Sequence, residues 1–276
     1  MTGTEVTAAA LSEEEVRTFW EQGYVIVKGA ISKEEAEQYR QLILDMVPRD
    51  LHIPAAWSVN AGRIKPYHSD HNHTYDTPEL LPLMCNERVY GAAAQLLQSR
   101  RLRVSDGSLG ITLRNDAGPL LSQGVHLDAT VPPELPNFLF SLEELQVGGC
   151  YYFSEVAPQG GGIHVVPGGH RLVEEKARAS SEGRQLYGQW KRIDDFPETV
   201  EVVGEAGDFA LLHHLMPHAA SNNRSSVPRV AQFTRFIRED HPHNPATPAP
   251  AGRYNERQLA AMGPLGRRLF GVDAWE

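Results

Sequence analysis

His126-Leu127-Asp128 is the first place in this chain where residue types and spacing meet a chemical requirement. On an extended strand, side chains two apart project to the same face, so this imidazole and carboxylate could grip one metal ion. Such a pair is common by chance and carries little alone. A second imidazole from elsewhere would complete a facial triad with adjacent coordination positions open, a geometry that suits non-haem Fe(II). The C-terminal half offers His164, His170, His213, His214 and His218. His218 is favoured, because the turn-rich stretch Pro217-His-Ala-Ala-Ser-Asn-Asn-Arg224 lies just past an apolar run, where a side chain can reach the mouth of a barrel. His213 and His214 are neighbours, so on a strand they are expected to face opposite ways, with one packed in the wall.

A dicarboxylate cosubstrate at such a centre would need a fixed cation for its far carboxylate, and the planar fork of Arg suits that task. Arg229 follows His218 by eleven residues and opens the β-prone run Val230–Ile237. Arg224 and Arg235 are its rivals. Arg224 lies in the turn and is expected to face solvent, while Arg235 either binds substrate or lies on the outer face.

These residues must be positioned by a β-rich scaffold. The runs Leu102–Val104, Leu109–Leu113, Gly124–Asp128, Val147–Phe153, Ile163–Val166, Val200–Val203, Phe209–Leu212 and Arg229–Ile237 are short, β-prone and punctuated by Gly, Pro, Asn or Asp. That pattern predicts a barrel or jelly roll. Ahead of it, Ser12-Glu-Glu-Glu15 and Ser32-Lys-Glu-Glu35 read as capping boxes that each open a helix. Tyr24–Val27 is a strand between them, and a further helix is expected around Asn86 to Gln98.

From Pro48 to about Pro82 the chain is irregular and rich in Pro, His, Asn and Asp, the composition of a long loop beside a pocket. Arg63, Lys65, Tyr67 and His68 are candidate substrate contacts there. His68, His71 and His73 resemble a metal motif, but in so polar a loop they read as a solvated cluster. The insert from Arg171 to Pro197, with a helix-compatible stretch at Leu172–Ala179, reads equally as a lid or a solvated excursion.

With 276 residues, 41% hydrophobic and 22% charged, the chain has the balance of a globular protein, here a single domain over 1–276. Within it, residues 1–100 form a helical N-terminal part, 101–240 the core and 241–276 a tail. A net charge of −9 without a basic run argues against nucleic acid and anionic membranes as partners and favours a small-molecule substrate. Cys85 and Cys150 are too few and too far apart for a disulfide framework or a zinc site. The opening residues lack the features of a leader, and no segment approaches the roughly 18 apolar residues of a membrane span, so a cytoplasmic location is expected. Monomer and homodimer both remain open.

Five segments, in order along nearly the whole chain, resemble the phytanoyl-CoA dioxygenase-like family of Fe(II)/2-oxoglutarate oxygenases. They are Leu11–Val27, His126-Leu-Asp128, Gly162-Ile-His-Val-Val-Pro-Gly-Gly-His170, the stretch Gly207–His218 with Asn222–Arg229, and Gly263–Trp275. The resemblance implies a double-stranded β-helix, or jelly roll, with the N-terminal helices packed outside. It implies Fe(II) held by His126, Asp128 and His218, with 2-oxoglutarate anchored by Arg229 and O2 as the oxidant. The reaction implied is hydroxylation of a C–H bond in a small metabolite or natural product, with release of succinate and CO2. Desaturation, cyclisation and epoxidation share that chemistry, and a non-redox metal-binding jelly roll (a hydrolase, isomerase or sensor) is the alternative from another class.

Two departures from the family pattern stand out. Ala220 replaces a serine that many members carry two residues after the distal histidine, and Thr112 and Gln123 are candidate replacements for its contact to the cosubstrate. An aromatic position that is Trp in several relatives is Tyr151 or Tyr152 here, with Tyr151 a candidate substrate contact. Asp128 itself argues against halogenation, because related halogenases have Gly or Ala at this position.

Overall fold

The computed structural model describes residues 10–47, 63–64, 73–122, 124–127, 146–179, 196–241 and 252–276. Both predicted capping boxes are present. The Ser12 hydroxyl accepts from the Glu15 amide at the start of α1 (Glu13–Gln22), and Ser32 does the same for Glu35 in α2 (Lys33–Leu44). Each serine amide is in turn satisfied by the glutamate carboxylate, which closes donors that a helix start leaves open. Gly23 ends α1 at φ 84, a left-handed conformation that glycine adopts without strain, and turns the chain into β1 (Tyr24–Val27).

After β2 (Arg63–Ile64) come α3 (His73–Asp76), a 3-10 turn at Pro78–Leu80, α4 (Leu81–Met84) and α5 (Glu87–Leu97), the last capped by Asn86. The strands that follow are β3 (Leu102–Thr112), β4 (Gln146–Tyr152), β5 (Ile163–Val165), β6 (Val200–Glu201), β7 (Phe209–His213), β8 (His218–Ala220) and β9 (Arg229–Arg238). Two more helices complete the described elements: α6 (Gly169–Ala179), before β6, and α7 (Glu256–Leu269).

Among the described residues the strands form two antiparallel sheets. One has six strands in the order β1-β7-β4-β9-β3-β2, the other three in the order β6-β5-β8. Alternation along each strand of the larger sheet divides its side chains between two cores. Val147 and Tyr151 of β4, Phe209 and Leu211 of β7, and Val230 and Phe236 of β9 pack with the helical layer, against Phe19, Val89, Ala93 and Leu97. Cys150 and Tyr152, Ala210 and Leu212, and Ala231 point the other way and meet Ile163 and Val165 of the smaller sheet. The molecule is therefore layered as helices, large sheet, small sheet. Gly149 makes the close pairing of β4 with β7 possible, since a Cβ there would lie 1.7 Å from the Ala210 carbonyl oxygen.

Several details differ from the sequence expectations. The two runs expected at Leu102–Val104 and Leu109–Leu113 are one strand, broken in register by a bulge between Asp106 and Leu109. His218–Ala220, expected as turn, is a strand, because its backbone pairs with Ile163–Val165. Residues 124–127 contribute a single bridge rather than a full strand. Leu172–Ala179 is helical within α6, and no described helix is long and apolar enough to cross a membrane.

Candidate metal and cosubstrate site

Between the two sheets lies a cavity of about 360 Å³, a size suited to small-molecule binding. His126 and His218 line it together. They are directly opposed across an antiparallel bridge, each backbone amide donating to the other's carbonyl at 2.9 Å. Their rings lie 4.6 Å apart between centroids, tilted by 47°.

Each ring is oriented by the same device. His126 Nδ1 lies 3.0 Å from the Gly124 carbonyl oxygen, and His218 Nδ1 lies 2.9 Å from that of Met216. A carbonyl can only accept, so each Nδ1 carries a proton, and in the neutral ring the lone pair is on Nε2. This is the arrangement by which a backbone carbonyl fixes the tautomer of a metal-ligating histidine. Asp128 is two residues from His126 and lies outside the described residues, as do Gln123, Lys65, Tyr67 and His68. Among the described residues no group of three metal-binding side chains is gathered.

Arg229 opens β9 on the cavity side, directly opposite Thr112 of β3, and is only 2% exposed. Its Nε donates to the Gly161 carbonyl at 2.9 Å. Its Nη1 is buried without a hydrogen-bond partner, and among the described residues no carboxylate pairs with it. Nearby Tyr152 is no counter-ion. Burial pushes its phenol above the ordinary range, and the neutral hydroxyl donates to the Val202 carbonyl at 2.8 Å. A buried cation left with an open donor costs several kcal/mol, so this fork is shaped for an anion that enters the cavity. The turn before it is tied down by Asn223, whose side-chain amide donates to the Thr112 and Val227 carbonyls.

Of the other predicted site residues, Thr112 is buried and shares a sheet face with Arg229. Arg63 pairs through its backbone with Thr112 in β2. Tyr151 does not reach the cavity. The register of β4 turns it to the helical face, where it is fully buried and its hydroxyl donates to the Leu83 carbonyl at 2.7 Å. His164, on β5, is held by the Thr199 hydroxyl. Arg224 donates to the carbonyls of Asn115 and Gly118 in the turn, while Arg235 lines the cavity.

His213 and His214 do not face opposite ways. β7 ends at His213 and the chain turns, so the two rings stack 4.8 Å apart and both line the cavity. His170 packs on His213 with 4.9 Å between ring centroids. Burial holds all three imidazoles below the ordinary histidine range, so they are neutral. Asp106, Ser108, Gln146 and Phe233 also line the cavity without having been singled out in the sequence.

Solved structures with a similar fold include SnoK, SnoN and EvdO2. The non-heme alpha ketoglutarate dependent carbocyclase SnoK from nogalamycin biosynthesis is 25% identical with a TM-score of 0.58, covering 86% of this chain and 88% of its own. The epimerase SnoN, solved with Fe3+, alpha ketoglutarate and nogalamycin RO, is 17% identical with a TM-score of 0.56, covering 82% and 83%. EvdO2 from Micromonospora carbonacea var. aurantiaca is 18% identical with a TM-score of 0.57, covering 89% and 97%. Among curated proteins none matches this sequence. The profile described as phytanoyl-CoA dioxygenase (PhyH) matches residues 19–231, a span that contains His126, His218 and Arg229, and the chain belongs to that family.

Proposed function

We propose that this protein is an Fe(II)- and 2-oxoglutarate-dependent oxygenase acting on a small molecule, built on a jelly roll whose two sheets are those described above. The observation that carries this reading is the pairing, in one cavity, of two tautomer-fixed imidazoles with a buried arginine whose Nη1 has no partner. His126 and His218, with Asp128, would hold the metal, and Arg229 would hold the far carboxylate of 2-oxoglutarate. When bound, Fe(II) and 2-oxoglutarate supply the oxidative decarboxylation that turns O2 on a C–H bond, releasing succinate and CO2.

The chain's own contribution is orientation and dryness. The Gly124 and Met216 carbonyls fix each ring through Nδ1 and leave Nε2 as the atom to ligate. Gly161 orients the guanidinium from behind, and Thr112 stands beside it in place of the hydroxyl that Ala220 lacks. The apolar wall of Leu212, Ile163 and Phe233 limits water in the reaction space.

Hydroxylation is the default outcome of this chemistry. A ring-forming or epimerising outcome has specific support from the likeness to SnoK and SnoN, which are described as a carbocyclase and an epimerase. A non-redox hydrolase, isomerase or sensor is disfavoured, since it has no use for a buried guanidinium with an open Nη1 at this place. The test is anaerobic addition of Fe(II) and 2-oxoglutarate, expecting a weak visible charge-transfer band, then oxygen with a metabolite panel, expecting succinate stimulated by a substrate. No band and no succinate would defeat the proposal.

A further inference from the structure

The turn that delivers His218 is built around a histidine whose lone pair is already in use. β7 ends at His213, and the chain reverses over His213-His214-Leu215-Met216, where the Met216 amide donates to the His213 carbonyl at 2.9 Å. Inside that turn the Leu215 amide donates to His213 Nδ1 at 3.1 Å. Asn and Asp close turns by accepting from the amide two residues on, and here an imidazole performs that task.

A ring nitrogen that accepts carries no proton, so His213 is neutral with its proton on Nε2. His214 follows the same pattern, its Nδ1 accepting from the Gln146 amide at 3.4 Å. The histidines that line the cavity therefore divide by tautomer. His126 and His218 donate through Nδ1 to carbonyls and leave Nε2 to ligate, whereas His213 and His214 use Nδ1 to hold backbone amides.

The ring of His213 is clamped in place. Phe19 and Trp20 of α1 lie 6.0 and 6.2 Å from it between centroids, and His170 and His214 lie 4.9 and 4.8 Å away. Leu215 is buried, so without an acceptor on residue 213 its amide would be left unsatisfied.

From this turn the constraint passes to His218 through Met216, which is fixed at three points. The His213 carbonyl holds its amide, and its methyl lies against Gly23, where a Cβ would come within 2.3 Å of it. Its carbonyl accepts from His218 Nδ1 at 2.9 Å. Pro217, the residue between, is held through its own carbonyl by the Val166 amide at 3.0 Å.

We infer that His213 is a positioning residue for the metal centre: its Nδ1 closes the turn that places the Met216 carbonyl, and that carbonyl aims His218 Nε2. This rests on the function proposed above, in which His218 ligates the metal. The place calls for an aromatic face toward α1 and a lone pair toward the Leu215 amide, and a neutral imidazole supplies both.

The test compares His213→Phe, which keeps the ring packing and removes the acceptor, with His213→Asn, which removes the packing and keeps an acceptor. Co(II) is titrated anaerobically into each full-length protein with 2-oxoglutarate present and followed by its visible bands. His213→Phe should bind Co(II) about tenfold or more weakly than wild type and with altered bands, while His213→Asn should stay within about threefold even with a lower melting temperature. A role in packing alone predicts the reverse order. Wild-type affinity in His213→Phe, or equal loss in both variants, would overturn the inference alone. Long-range 1H–15N NMR of the wild type reads the tautomer whatever the variants do, and a proton on His213 Nδ1 would also overturn it. Failure of the wild type to bind Co(II) would instead overturn the proposed function, and the inference with it.

Discussion

Acidification from pH 7 to pH 5 should cost this protein about 4 kcal/mol of stability through two buried imidazoles alone. Burial, partly offset by the hydrogen bond to the Trp20 carbonyl, pushes His170 down to about 4. Burial, reinforced by nearby His241, pushes His214 down to about 3. In the unfolded chain both titrate near the ordinary 6.5. Between these limits the unfolded state binds protons that the folded state refuses. The stability contributed by the neutral imidazoles is therefore fully present above 6.5 and is lost progressively as pH falls toward 4 and then 3. Each group contributes about 1.4 kcal/mol per pH unit well below 6.5, or about 2 kcal/mol between pH 7 and pH 5. His213, also held down by burial, acts in the same direction. For a chain of this size the loss corresponds to a fall in melting temperature on the order of 10 °C. Calorimetry at pH 7, 6 and 5 would measure it, and His170→Gln should remove about 2 kcal/mol of the pH dependence. A melting temperature flat across that range, or an unchanged slope in the variant, would refute the reasoning.

Arg229→Gln should weaken 2-oxoglutarate binding by roughly 100-fold, the worth of a charge-assisted pair in a buried site, as calorimetric titration would register. His126→Ala and His218→Ala should each abolish iron-dependent succinate formation, while replacing His164, a β5 residue whose ring is tied to Thr199, by Ala should retain it in the same coupled assay. Gly149→Ala should destabilise the fold by about 3 kcal/mol or more, because the added methyl meets the Ala210 carbonyl in the middle of the sheet; a melting temperature within a degree or two of wild type would contradict that packing. Asp208→Ala should cost about 3 kcal/mol in denaturant titrations, since this buried carboxylate accepts from Lys28 Nζ and the Gly29 and Glu205 amides.

What could be read from the sequence is what local rules determine. Ser12 and Ser32 announce their helices because a capping box is complete within four residues, and Asn86 caps α5 for the same reason. His126 and His218, paired from the sequence as candidate ligands, face each other across one bridge. Tyr151 was not legible, because period-two alternation tells which residues share a face but not which face meets the cavity. That choice depends on pairing β4 with β7 and β9, far along the chain. Asp106 was missed because a bulge is set by the register between β3 and β9, which no local signal encodes. His213 and His214 misled because alternation holds only inside a strand, and β7 stops between them.

The strand order β1-β7-β4-β9-β3-β2 also governs how the protein is made. β1 leaves the ribosome long before its partner β7, so Tyr24 must wait for Leu212. β9, which lies between β4 and β3 and carries Arg229, comes later still. Closing loops this long makes for slow assembly, and the nascent chain spends its synthesis with apolar strand edges uncovered. A ribosome stalled short of Arg229 would hold His126 and His218 but no strand to join β3 to β4. Competence to bind 2-oxoglutarate should therefore arise in one step, once β9 has emerged, rather than grow with chain length.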